Sequence, residues 1–294
     1  SDNEPWYSDG TEAGTLLLKD LEPGSAWSKP FEFTNIDNTN FYFRTYNSSN
    51  SRDIWKSDGT AAGTTKIVTG ISSDRIQIAN NILFFAKADA NGNELWKYDG
   101  STASLVKNIN PGSLSSFPSN FISFNNLLYY FADDGTNGNE LWKSDGTEAG
   151  TVLVKDIYAG ANGSLPNSTN LTNVGSVLYF TANDGTNGFE LWKSDGTAAG
   201  TVMVKDIQAG SNGSFPEKLT QVGSVLYFSA SDGTNGAELW KSDGTAAGTV
   251  MVKDINAGSG SSSPSYLTNV GGVLYFKAND GTTGEELWKS DGKI

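Results

Sequence analysis

The chain has 294 residues, a formal net charge of −13 and a pI near 4.4, with no Cys and no His. Without thiols or imidazoles it lacks disulfides, the usual transition-metal ligands, cysteine nucleophiles and the commonest general base, so an enzyme is not expected. The acidic balance opposes nucleic acid and anionic lipid, and no apolar run approaches the ~20 residues of a membrane span, so neither nucleic-acid binding nor membrane insertion is expected.

The chain opens in mid-repeat. Its first residues, Ser1 to Glu4, are no signal peptide, and residues 4 to 20 read as the last two strands of a unit, as in a processed or excised fragment of a longer chain. The string Trp-x-x-Asp-Gly then recurs with its Trp at 6, 55, 96, 142, 192, 240 and 288, at intervals of 49, 41, 46, 50, 48 and 48 residues. That period fits units of about four strands, and its continuity places residues 1–294 in a single domain.

Residues 167 to 207 show the unit best. Leu171–Val174 is strand A, and Val177–Ala182, rich in β-branched and aromatic residues, is strand B. Asn183 to Gly188 has turn chemistry, Glu190–Lys193 is strand C, Ser194 to Gly200 is a second turn, and Thr201–Ile207 is strand D. Val177 to Phe180 and Val202 to Val204 are continuous apolar runs, and Leu191 adjoins Trp192, so both faces of each sheet require burial. Radial stacking of four-stranded antiparallel blades meets that demand. The recurring Trp is expected to pack between blades, its indole N–H satisfied by backbone.

Residues 264 to 291 supply A, B and C without D. With the opening pair and five complete units the strands number twenty-five, one more than six blades need. The expected fold is therefore all-β: a six-bladed β-propeller closed by the N-terminal strand, Thr15–Asp20, completing the last blade, with one strand C left surplus.

The strings Asn93 to Gly100, Glu140 to Thr147 and their copies at 190, 238 and 286 resemble the bacterial ELWxxDGT-repeat proteins, over the whole chain. The early units depart from the motif, with Glu4-Pro5-Trp6 and Asp53-Ile54-Trp55 in place of Glu-Leu-Trp. The resemblance implies a secreted or cell-surface bacterial protein that is propeller-like and non-catalytic. The expected function is an extracellular interaction or scaffolding module that presents blade loops to a protein partner or to neighbouring domains. The alternative is a lectin-like propeller that binds glycan.

Two groups of candidate site residues follow. Asp134, Asp184, Asp232 and Asp280 begin the B–C turns, and Glu140, Glu190, Glu238 and Glu286 follow six residues later. Oxygen-rich, Gly-punctuated loops suit calcium, the one cofactor the pattern suggests, while Asp-Gly serves equally as turn chemistry. No catalytic residue is assigned, because acids repeated in every blade do not single out a pair. All three Arg residues, Arg44, Arg52 and Arg75, fall in the divergent units with Trp27, Tyr42 and Tyr46. Arg and aromatics favour interfaces, so these six are the candidate partner-binding residues.

Overall fold

The computed structural model describes residues 3–23, 27–46, 51–73, 75–164 and 171–292, and among them it contains β-strands and no helix. No helix long and apolar enough to cross a membrane is therefore present among the described residues. The chain divides into two compact units, residues 1–128 with 144–151 and residues 129–143 with 152–294.

The first unit opens with β1 (Trp6–Tyr7) and β2 (Leu16–Leu17), an isolated two-stranded sheet. Two four-stranded sheets follow: β3 (Pro30–Asn35), β4 (Phe41–Tyr46), β5 (Arg52–Ser57) and β6 (Thr65–Val68), then β7 (Gln77–Ala79), β8 (Ile82–Asp89), β9 (Gly92–Tyr98) and β10 (Ala103–Lys107). The next sheet comprises β11 (Ser119–Phe124), β12 (Leu127–Asp133), β13 (Asn139–Ser144) and β14 (Val152–Lys155), and the unit boundary falls within it.

The second unit continues with β15 (Thr172–Val174), β16 (Val177–Asn183), β17 (Phe189–Ser194) and β18 (Val202–Lys205). A sheet of β19 (Glu217–Val222), β20 (Val225–Ser231), β21 (Ala237–Ser242) and β22 (Val250–Lys253) follows, and three strands end the chain, β23 (Ser265–Val270), β24 (Val273–Asn279) and β25 (Glu285–Ser290). Among the described residues the strands number twenty-five, the number counted from the sequence pattern.

Closure differs from expectation. The N-terminal strand pairs with β1, in the register Trp6↔Leu17 and Tyr7↔Leu16, and the last sheet keeps three strands. A hairpin turn makes β1 the nearest partner for β2, whereas pairing with a strand more than 260 residues away carries a larger loop-closure cost. Trp6 and Leu287, on these incomplete sheets, are 61% and 78% exposed.

Within complete repeats both sheet faces are buried. Leu178, Tyr179 and Phe180 are all buried although consecutive: Tyr179 packs with residues of the following sheet such as Leu226, Phe228 and Trp240, while Phe180 meets Phe131 of the preceding sheet, ring centroids 5.9 Å apart. Leu191 and Trp192 are both buried as well, since adjacent strand residues face opposite sides of the sheet and both sides are covered; strand D bulges opposite them, with Leu191 paired to Lys205 and Trp192 to Met203. The same bulge recurs at Ile54/Trp55, Leu141/Trp142 and Leu239/Trp240, so it belongs to the repeat.

Trp192 and Trp240 pack between sheets, with Lys155 over Trp192 and Lys205 over Trp240, each 5.8 Å from the ring centroid, whereas Trp6 is exposed. A backbone acceptor is found for Trp288, whose indole donates to the Ala278 carbonyl at 3.1 Å, but the indole nitrogens of Trp96, Trp192 and Trp240 meet no protein acceptor.

The Asp-Gly-Thr string is turn chemistry throughout. Asp195 Oδ1 accepts from the Thr197 N–H at 2.8 Å and its hydroxyl at 2.7 Å, and the Thr197 hydroxyl accepts from Gly200 N–H at 3.0 Å. A Cβ on Gly200 would lie 2.1 Å from the Asp195 carboxylate, which explains the glycine. The turn then docks on the preceding sheet: Lys143 Nζ donates to Gly196 O at 2.9 Å, Lys193 Nζ to Gly244 O at 2.8 Å and Lys205 Nζ to Thr249 O at 2.8 Å.

Candidate functional site

The repeated acids separate into two structural roles. Asp184 Oδ1 accepts from the backbone N–H of Thr186 and Asn187, both at 2.8 Å, and its Oδ2 accepts from the Asn187 amide at 2.8 Å. Burial pushes this carboxyl up, but the Asn187 and Thr186 donors outweigh it and hold it below the ordinary aspartate range. Asp134 and Asp232 make the same three bonds, and Asp280 uses Thr282 and Thr283.

Glu190 is fully buried and turned to the D–A connection. Its carboxylate accepts from the N–H of Ile207 and Gln208, each at 3.1 Å, and from Ser214 N–H at 2.9 Å and hydroxyl at 2.5 Å. Glu140 binds Tyr158 N–H and the Ser164 hydroxyl, and Glu238 binds Ile255 N–H and Ser262. Burial raises both Glu190 and Glu140, the latter to about 7. Glu286, in the incomplete last sheet, is exposed. Each Asp thus serves its own turn and each buried Glu clamps a loop 17 to 24 residues downstream. Among the described residues no group of three or more His, Cys, Asp or Glu stands close enough to hold a metal ion.

The divergent patch also separates. Tyr42 enters the core of the first unit, edge-on to Tyr98 at 6.2 Å. Trp27 lies 6.3 Å from Tyr46, with Lys29 Nζ 4.3 Å over the Trp27 ring and the Arg52 guanidinium 6.0 Å from the Tyr46 centroid. Arg44 is buried, forms an ion pair with Glu32 and donates through Nη1 to Ser73 O at 2.6 Å, while Arg52 Nη1 reaches Ser72 O at 3.4 Å. Two of the three arginines therefore hold the connection between β6 and β7, and Arg75, exposed, stands at its end. Burial pushes the Glu32 carboxyl up against the pull of Arg44, the Ile76 N–H and Arg75.

The sequence pattern did not single out the start of strand A. Lys29, Phe117, Phe215 and Ser263, each preceding a Pro, have φ of 38°, 48°, 51° and 48°, and Glu32, Asn120, Lys218 and Tyr266, two residues past that Pro, have φ of 53°, 57°, 59° and 55°. Non-glycine residues seldom adopt this region, and it costs of order 1–3 kcal/mol per residue where it persists. The A–B pairing shifts register there, between Phe31 and Thr34, Glu217 and Thr220, and Ser265 and Thr268, so Glu32, Lys218 and Tyr266 sit in bulges, the last two exposed. Phe117, Phe215 and Tyr266 are 62%, 54% and 79% exposed. The signal available in sequence was internal: Glu32, Arg75, Asn120, Asn170, Lys218 and Tyr266 occupy one position of the repeat, just before the first apolar residue of strand A, and only the Asn recurs.

Two clefts lie at these starts, one in each unit. The first, about 250 Å³, is lined by Ser73, Arg75, Asn93, Phe117, Pro118 and Asn120 among others. The second, about 630 Å³, lies between the starts of β19 and β23 and is lined by Lys218, Thr220, Ser265, Tyr266 and Lys277. Lys277 lies over the Tyr266 ring at 5.5 Å and bonds Glu285 at 2.9 Å. A further hollow of about 590 Å³, lined by Val252, Tyr275 and Trp288, lies between the last two sheets.

No protein-family model matches the chain, and no curated protein matches it significantly. Solved structures do. Oligopeptidase B from Leishmania major matches with a TM-score of 0.59 at 12% identity, over 97% of this chain and 43% of its own. A structure from a study of two prolyl endopeptidases, concerned with inter-domain dynamics in catalysis and specificity, matches with a TM-score of 0.55 at 15% identity, over 95% of this chain and 41% of its own. The β-propeller domain of the Trilobed protease from Pyrococcus furiosus, described as having an open velcro topology, gives a TM-score of 0.46 at 13% identity, over 90% of this chain and 82% of its own.

At these identities the likeness is one of fold: an all-β protein of four-stranded antiparallel sheets with propeller-like neighbours. The chain spans about two-fifths of the length of the first two peptidases, 43% and 41%. The expectation of a non-catalytic extracellular interaction or scaffolding module, with its lectin-like alternative, is corrected by these likenesses, because the proteins sharing the fold over nearly the whole chain are peptidases.

Proposed function

We propose that this chain is a peptidase-associated domain, a propeller of six blades whose last blade has three strands, and that it presents the starts of its A strands to peptide. The observation that carries the reading is the side chains at those starts: exposed Phe117, Phe215 and Tyr266, with Arg75, Lys218 and Lys277 lining the two clefts. Aromatic faces beside cations, on a rigid sheet frame, suit peptide backbone and side chains. The fold shared with peptidases supports peptide as the ligand class. With no His in the sequence, a Ser-His-Asp triad cannot be assembled from this chain, so hydrolysis would be supplied by a further domain of the natural gene product. The bacterial, cell-surface or secreted setting implied by the ELWxxDGT resemblance belongs to the same reading.

The test is hydrolysis of short and long fluorogenic peptides by the natural gene product that contains this region. Phe117→Ser with Tyr266→Ser is expected to raise KM several-fold for long peptides while leaving kcat unchanged. An absence of peptide hydrolysis, or a KM indifferent to both substitutions, would sink the proposal.

A further inference from the structure

The cleft in the first unit carries an unspent set of hydrogen-bond donors. Ser73 is 5% exposed, and its hydroxyl has no hydrogen-bond partner although it lines the cleft. A buried polar atom left unpaired costs about 1–3 kcal/mol, so a hydroxyl retained there suggests an acceptor from outside. Asn93 also lines the cleft, and its side-chain oxygen is taken by the Ser72 hydroxyl at 2.5 Å, which leaves its amide N–H groups for another acceptor. Arg75 adds a guanidinium. Glu32 lies within the field of both Arg44 and Arg75 and is ion-paired with Arg44.

The frame is pre-organised. Arg44 and Arg52 fix the carbonyls of Ser73 and Ser72, while the N–H groups of both serines bond Ala86 O at 3.2 and 2.9 Å, so these two serines are pinned from both sides. The β6–β7 connection is also short, eight residues where β18 to β19 takes eleven, which leaves this corner less covered. Phe117, whose N–H donates to Asn93 O at 3.2 Å, and Pro118 add apolar surface to the lining.

We propose that this cleft binds the free C-terminal carboxylate of a peptide, with Arg75 as charge partner, the Ser73 hydroxyl and Asn93 amide as further donors, and Phe117 against the terminal side chain. One guanidinium with neutral donors matches a single negative charge better than a phosphate, particularly in a chain of net charge −13. A volume of about 250 Å³ is below the ~300–1,000 Å³ of sites that enclose a drug-sized ligand, so it suits one terminal residue rather than a longer segment.

The choice of a peptide rests on the peptidase-associated reading, but the test needs only this chain. Acetyl-Leu-Phe with a free carboxylate and its C-terminal amide are titrated calorimetrically against the wild-type 294-residue protein and Arg75→Gln, Ser73→Ala and Phe117→Ser variants. The free acid is expected to bind at least ten-fold more tightly than the amide, and Arg75→Gln should abolish that preference while leaving amide affinity unchanged. Ser73→Ala should reduce the preference less, and Phe117→Ser should weaken both ligands equally. Arg75 is exposed, so its variant is expected to keep the wild-type melting temperature. Undetectable binding of the free acid at millimolar concentration, or a preference retained in Arg75→Gln, overturns the assignment. If the gene product proves to hydrolyse no peptide, the acid-to-amide ratio still reports on the cleft, so the two failures are separable.

Discussion

Replacing Glu190 with Ala would remove the acceptor for four donors at once: Ile207 N–H, Gln208 N–H, Ser214 N–H and the Ser214 hydroxyl. Hydrogen bonds to a charged group contribute about 1.5–3 kcal/mol each, but the sum is reduced because the substitution also relieves the cost of burying the carboxylate, the same cost that raises its pKa. A net loss of roughly 3–5 kcal/mol follows, in the range found when one partner of a buried polar network is deleted. At ~2–4 °C per kcal/mol for a domain of this size, melting should fall by about 10 °C. Glu286 has the same motif position in the last sheet but is exposed, so Glu286→Ala should change stability by no more than ~0.5 kcal/mol. Urea and thermal unfolding of both variants at one pH measure the contrast. If Glu190→Ala and Glu286→Ala cost the same, the glutamate is a surface residue of the repeat and the clamp is wrong.

Two further predictions concern the repeated acids. Glu140, pushed up to about 7 from an ordinary 4.5, makes the folded protein bind more protons than the unfolded chain between those values. Stability should therefore fall as pH rises from about 4.5 to 7 and then level off, and Glu140→Gln should flatten that slope; an unchanged slope in the variant assigns the dependence to other groups. Melting curves in millimolar calcium and in chelator should superimpose at fixed ionic strength, because Asp134, Asp184 and Asp232 already accept from their own turns. A site filled at 100 times its Kd would instead add about 2.7 kcal/mol, an easily measured upward shift.

The strand order was legible because it is written in short-range chemistry. Val177 to Phe180 cannot rest with one face in water, and Ser194 to Gly200 can hardly do other than turn. What escaped depends on residues distant in the chain. A spacing of six placed Asp184 and Glu190 together as candidate calcium ligands, yet Glu190 meets donors at 207, 208 and 214, which no local spacing reveals. The bulge of strand D opposite Leu191 and Trp192 leaves no mark in strand C, and the positive φ before Pro118, Pro216 and Pro264 runs against local preference. Composition drew attention to Arg44, Arg52 and Arg75 together; it could not foresee that the first two would be used to hold a loop and that Arg75 would be left to the solvent.

The repetition itself directs attention to where the function lies. Glu190 with Ser214, Asp195 with Thr197 and Gly200, and Lys193 with Gly244 recur in successive units because each bond positions the next sheet, so these residues are occupied by the frame. Glu32, Arg75, Asn120, Asn170, Lys218 and Tyr266 stand at one position of the repeat and, the two Asn apart, differ in charge, size and aromaticity. A position that packing alone dictated would repeat its chemistry as its neighbours do. The strained backbone at Glu32, Asn120, Lys218 and Tyr266 holds each side chain at the rim of its sheet, and both clefts at the A-strand starts are bordered by this set. Substitutions there should alter binding more than folding, whereas substitutions in the clamp should alter folding first.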